Sequence, residues 1–162
     1  MTAPWGRSAW VILCSLLVAY ALTIVPLPAW ASAARPQWVA LVLVYWCMAV
    51  PHRVGVGVAW LAGLAQDALQ ATLLGQHAFS YAIAAYLVLK LHQRIRVYPL
   101  GQQSMIVLVL LLMIQLIQVW VNGLIGRPQP PVDYWLAPLV GTLLWPWVFI
   151  AMRGIRRRYG VS

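Results

Sequence analysis

The chain has 162 residues, of which 64% are hydrophobic and only 8% charged, with ten tryptophans and a formal net charge of +9. Soluble domains run at about 45–50% apolar and about 25% charged residues, so this composition excludes an ordinary soluble enzyme and indicates a membrane-embedded chain. The basic residues fall between long apolar runs rather than along one face, a distribution that suits lipid headgroups and membrane topology and not nucleic acid.

A bilayer core about 30 Å thick takes about 20 helical residues. Six apolar stretches predict an all-α, six-transmembrane-helix bundle forming a single integral membrane domain: Ala9 to Leu27, Pro36 to Val50, Val54 to Leu74, Gln76 to Leu91, Gln103 to Ile125 and Tyr134 to Met152. The second and fourth are short, a mismatch that neighbouring helices or a thinned bilayer absorb. In the first stretch, Arg7, the apolar run and the small residues "AWASAA" (29–34) imitate a cleavable signal. The apolar run of roughly 17 residues is longer than the usual h-region of about 7–15, so a retained first helix is expected. Cys14 and Cys47 lie within apolar stretches and read as small buried hydrophobes.

Between the second and third stretches, "VPHRVGVGVAW" (50–60) has Pro51 to stop one helix, with Gly55 and Gly57 permitting close backbone approach after a tight turn. Arg53 in that turn reads as a phosphate anchor or a contact to a cytoplasmic partner. Further on, "LKLHQRIRVYPL" (89–100) and "RGIRRRY" (153–159) read as basic edges that snorkel to anionic lipid. In "GRPQPPVDYW" the prolines stiffen a loop that serves as a spacer. Arg7, Arg53, Lys90, Arg94, Arg96, Arg153, Arg156, Arg157 and Arg158 fall on one side of the predicted bundle, and Arg35 and Arg127 on the other. Because cytoplasmic loops carry the Lys and Arg excess, both termini are expected in the cytoplasm. Trp5, Trp10, Trp30, Trp38, Trp120 and Trp135 lie near predicted span ends, as an aromatic belt does.

Catalysis by hydrolysis or glycosyl transfer needs paired carboxylates or a nucleophile with a base in reach. The only acids are Asp67 and Asp133, far apart along the predicted bundle axis. His52, His77 and His92 are assigned to opposite membrane edges, which leaves no metal site. His77 and Ser80 stand at i, i+3 in "HAFS", but no nucleophile-elbow pattern accompanies them, so helix start and packing account for the pair. No enzyme, metal or cofactor is expected.

What remains is a polar system inside the bundle. On the third stretch Gly63, Asp67, Gln70 and Leu74 share one helical face, with Ala59 and Gly63 as a small-xxx-small pair. The fifth carries Gln115, Gln118 and Asn122 at a depth matching Asp67. No Lys or Arg is assigned to that depth, and a charged Asp near the bilayer centre costs about 2.5–3.5 kcal/mol on insertion scales. Asp67 is therefore expected to be a neutral acid bonded to Gln or Asn amides, or a group awaiting a donor from another protein.

The elements "RPQW", "YW", "PHRVGVG", "GLAQD", "LLGQHA", "AYL" and "LHQRIR" within residues 35–104, with "LLWPWVF" (143–149) before the basic tail, resemble the MreD family of rod shape-determining membrane proteins in its proteobacterial form. The resemblance covers nearly the whole chain. It implies a non-enzymatic inner-membrane component of the cell-elongation machinery that pairs with MreC. Through MreC it implies action with the RodA glycan polymerase, its penicillin-binding transpeptidase and MreB filaments. It also implies a fold similar to the substrate-binding S component of energy-coupling-factor (ECF) transporters. By the same resemblance Asp67 is the family's membrane aspartate, and Pro51, Arg53, Gly55, Gly63 and Gly75 fill other motif positions. The chain departs from the pattern at Gln66 and at Ala71, where a small residue, often glycine, is expected.

Two functions compete. A scaffold would bind a partner's transmembrane segment on small-residue faces such as Ala78, Ala82 and Ala85. A small-ligand-binding membrane subunit or transporter component would use Asp67, Gln70, Gln115 and Gln118 to line a midplane pocket. No inverted repeat or paired broken helices favour the second.

Overall fold

The structure is a computed structural model and describes residues 5–32, 34–71 and 73–161. Ala33 of the small-residue stretch and the side chain of Trp5 lie outside the described residues. The helices are α1 (Trp5–Ile24), a single turn α2 (Ala29–Ser32), α3 (Trp38–Ala49), α4 (Val56–Gln70), α5 (Gln76–Val97), α6 (Leu100–Leu124) and α7 (Leu136–Tyr159). A 3-10 turn at Val132–Trp135 leads into α7, and no strand occurs among the described residues.

A long helix thus stands at each of the six predicted stretches, but their lengths are unequal. Three segments are long and apolar enough to cross a membrane: Gly6–Ile24, Leu100–Leu124 and Val132–Tyr159. Each turns a stripe of large apolar side chains outward at helical spacing, such as Met105, Val109, Leu112 and Leu116 on α6, or Leu139, Leu143, Trp147 and Ile150 on α7. In water such stripes would be an aggregation liability; against lipid tails they are the correct surface. The other three fall short. With 12 residues α3 is only about 18 Å long, and with 15 residues α4 is about 22 Å. The third, α5, ends in Lys90, Arg94 and Arg96.

A short helix is tolerated where protein rather than lipid surrounds it, and α3 is that case. Every residue from Val39 to Val50 is buried, with α1, α5, α6 and α7 packed around the helix. The indole of its buried Trp46 is satisfied inside the bundle, Nε1 donating to Ser15 Oγ at 2.8 Å. The unpaired carbonyls at its C-terminus accept from the guanidinium of Arg96, Nε to Met48 O at 2.8 Å and an Nη to Ala49 O at 2.6 Å. Arg96, expected to snorkel toward lipid, therefore turns back onto α3. At the end of α1 Arg35 does the same, reaching Thr23 O at 2.7 Å and Val25 O at 2.9 Å. Both cations sit where the helix dipole is negative. Cys47 is fully buried as expected, but Cys14 is exposed on α1, because that helix buries only one stripe of its circumference.

The tightest contact in the bundle lies between α4 and α5. A Cβ built on Gly63 would fall 2.3 Å from Ala78 Cα and 2.4 Å from its backbone nitrogen. Only glycine lets the two backbones meet there. This contact also uses up the small-residue face proposed for a partner, since Ala78 and Ala85 are buried within the chain's own bundle and Ala82 is half-buried. Gly63→Ala should cost at least ~3 kcal/mol, the upper end of ordinary overpacking, because the obstacle is backbone that cannot rotate away. Thermal unfolding followed by circular dichroism in detergent checks this; an unchanged midpoint would refute the close approach.

Candidate functional site

The site begins with a helix that cannot cap itself. Four backbone N–H groups at any helix N-terminus lack intrahelical partners, and a Ser, Thr, Asp or Asn side chain at the N-cap normally accepts from one. The N-cap of α5 is Gly75, at φ +103°, a backbone region open to glycine and without a side chain to offer. The missing acceptor comes from α4. Asp67 Oδ2 accepts from Gly75 N at 2.8 Å, and Oδ1 from His77 N at 2.8 Å, with a longer approach from Ala78 N at 3.5 Å. His77 adds its ring, Nδ1 donating to Asp67 Oδ1 at 2.7 Å.

Asp67 is wholly buried. Its two oxygens both face N–H donors, which is the arrangement of a carboxylate at a helix N-terminus, where the dipole favours negative charge. Gln or Asn amides, or a donor from another protein, are expected from the sequence to meet this acid; the donors described are backbone N–H groups and the His77 ring. The donors are supplied by the chain's own next helix, through a reversal that brings residues 67 and 75 together. Gln115 and Gln118 are engaged with Tyr134 instead: Gln115 Nε2 donates to Tyr134 O at 3.2 Å, and the Tyr134 hydroxyl donates to Gln118 Oε1 at 3.0 Å.

The other predicted site residues take separate places. Gly63 is the contact with Ala78 already described. Asn122 Oδ1 accepts from Gln76 Nε2 at 3.1 Å, and the same nitrogen reaches Gln118 O at 3.3 Å, tying the start of α5 to α6. Gln70 is exposed at the end of α4. Arg53 is half-buried beside Ile12 and Leu16 of α1, well away from the Asp67 cluster along the chain and in space. Ser80 donates back to Gln76 O at 2.9 Å, within its own helix, so the "HAFS" pair forms no nucleophile and base.

At the end of the bundle where α4 gives way to α5, a cavity of about 180 Å³ opens between the helix termini. Gln70, Gln115 and Gln118 line it as the ligand-binding alternative foresees, while Asp67 is screened from it by His77. Sequence reasoning missed the other wall residues, Arg35, Gln37, Gln66 and Tyr134. One signal for the cap was available: an acid eight residues ahead of a glycine that opens a helix.

Residues 7–155 match the family model described as rod shape-determining protein MreD. The chain belongs to the MreD family. Among curated proteins it is 33% identical over 147 residues to the rod shape-determining protein MreD of Haemophilus influenzae, covering 91% of each chain. No solved structure matches it significantly. MreD is a membrane protein family concerned with rod shape, and this member is not an enzyme. Ala71 is the one non-glycine residue with positive φ (+53°) among the described residues, and it ends α4 by donating its N–H to Asp67 O.

Two expected outcomes test the cap. Asp67→Asn turns an NH2 group toward N–H donors and removes the charge, so it should destabilise the fold by about 2–4 kcal/mol. It should also speed hydrogen exchange at Gly75 and His77 selectively; equal protection of these two amides in both proteins counts against the cap. Ala71→Gly relieves a left-handed conformation costing roughly 1–2 kcal/mol, against about 0.4–1 kcal/mol of extra unfolded-state entropy. Its melting midpoint should rise slightly, and a clear fall would show that the turn is not strained.

Proposed function

We propose that this protein is a multi-pass component of the bacterial inner membrane that binds MreC and so helps position or activate peptidoglycan synthesis during cell elongation. The observation that carries the reading is the family match, which runs through nearly the whole chain. RodA, the penicillin-binding transpeptidase and MreB are then reached through MreC, and anionic lipid meets the basic edges. All six long helices act as spans, α3 and α4 through a bundle whose neighbours cover their short length. Both termini lie in the cytoplasm, in keeping with the distribution of Lys and Arg. The plan is that of the six-helix S component of ECF transporters.

Asp67 and Gly63 serve the partner indirectly in this reading, by holding α4 against α5. The contact surface belongs elsewhere. A groove of about 670 Å³ runs along α1 between α3 and α7, from Arg7 past Cys14 and Val18 to Leu22, with Ala151 on its far wall. The stretch from Arg7 to Leu22 covers about 22 Å of helix axis, most of a membrane core. Small side chains on both walls permit a single helix to approach closely, and MreC offers a single transmembrane helix. Arg53, half-buried beside the other flank of α1, adds a cytoplasmic-edge contact.

Filling the groove tests this directly. Cys14→Trp with Ala151→Trp should leave the protein folded in the membrane while cutting MreC co-purification at least about tenfold, equivalent to ~1.4 kcal/mol. Rod shape should be lost in cells carrying only the double variant. Full MreC recovery with the groove filled would move the interface elsewhere, and failure of the wild type to retain MreC would remove the reading itself.

A further inference from the structure

The cavity beside the Asp67 cap has more hydrogen-bonding groups than the chain satisfies. Gln66 and Gln115 are 4% and 2% exposed, and the Oε1 atom of each has no partner. Neither amide atom of Gln37 is bonded, nor is Nε of Arg35. All four residues line the same cavity. Buried polar groups in folded proteins almost always find partners, and four residues converging unpaired on one space mark a place where partners are brought from outside.

The wall also says what kind of partner. Its polar members are chiefly carboxamides, from Gln37, Gln66, Gln70, Gln115 and Gln118, which both donate and accept but carry no charge. Of the two ionic groups nearby, Arg35 already directs both terminal nitrogens at Thr23 and Val25 carbonyls, and Asp67 faces the α5 amides and the His77 ring. A charged ligand would find a single unbonded guanidinium N–H, Nε of Arg35, against several carboxamides, so the wall is built mainly for neutral hydrogen-bonding groups. Trp38, Tyr81 and Tyr134 add flat aromatic surface to the same wall. The volume of about 180 Å³ equals about six waters at ~30 Å³ each, too small for a large cofactor.

We propose that this cavity is a binding site for one compact neutral group rich in hydroxyls or amides, a single sugar ring being the chemistry it fits best. The group arrives either as a free solute or as the headgroup of a neutral glycolipid. The site needs no bound MreC, since every wall residue belongs to this chain, so its failure would leave the scaffold role standing.

The test uses the full chain in phosphatidylcholine nanodiscs, with tryptophan fluorescence and thermal melting as readouts. One arm titrates N-acetylglucosamine, and the other incorporates monoglucosyl diacylglycerol at increasing density. A saturable change is expected in one arm, the free-sugar arm identifying a solute and the glycolipid arm a headgroup. Gln66→Leu and Gln115→Leu should weaken it at least about tenfold. Gln37→Ala guards against misfolding, because its amide makes no internal bond; it should weaken binding without moving the unliganded melting midpoint. No saturable change in either arm, or binding unaltered by Gln37→Ala and Gln66→Leu, would overturn the proposal and leave a water-filled cavity only.

Discussion

The fold turns on one constraint: a helix whose first N–H groups are buried at the end of an apolar bundle must have them satisfied without water. Gly75 opens α5 and has no side chain to do this, so the carboxylate of Asp67 does it from the neighbouring helix. An acid that is expensive to bury becomes tolerable when the backbone N–H groups of Gly75, His77 and Ala78 and the His77 ring surround it. The consequences spread outward. Once Asp67 holds the start of α5, Ala78 is pressed onto Gly63, Gln76 is presented to Asn122 on α6, and the His77 ring forms part of the cavity wall.

A second regularity is the use of arginine at helix ends. Arg35 and Arg96 each donate to carbonyls at the C-terminus of a different helix, α1 and α3. Counted only as positive charges, these residues report on membrane topology. Placed in space they complete two helices whose carbonyls would otherwise face apolar surroundings. The buried middle of the chain is thus bounded by one acid at a helix start and two arginines at helix ends.

For function, this division separates two surfaces. The interior around Asp67 is committed to holding the bundle together: the Asp67–His77 pair sits on the start of α5, and Ser80 turns back onto Gln76 O. The groove along α1 and the polar cavity at the helix ends are the places where something else can bind. One is apolar and as long as a helix, suited to a transmembrane partner; the other is compact and lined by carboxamides, suited to a small polar group. Trp38, at the start of α3, lines both.

Composition, helical periodicity and the motifs "GLAQD" and "LLGQHA" were sufficient to determine an all-helical membrane chain, the approximate place of its helices and its family, although α5 and α7 run on past the expected Leu91 and Met152 to Val97 and Tyr159. These are local properties, carried by runs of residues that read the same in any tertiary setting. The partner of Asp67, the burial of Ala78, the capping by Arg96 and the outward position of Cys14 were decided only in three dimensions. Matching depth along parallel helices pointed from Asp67 to Gln115 and Gln118, but depth says nothing of rotation about the helix axis. The nearer donors came from a chain reversal eight residues away, where a left-handed Ala71 and a glycine at φ +103° fold α5 back onto the acid. A hydrogen bond between elements depends on rotation and on the path of the turn, and those are set by packing, not by spacing along the chain.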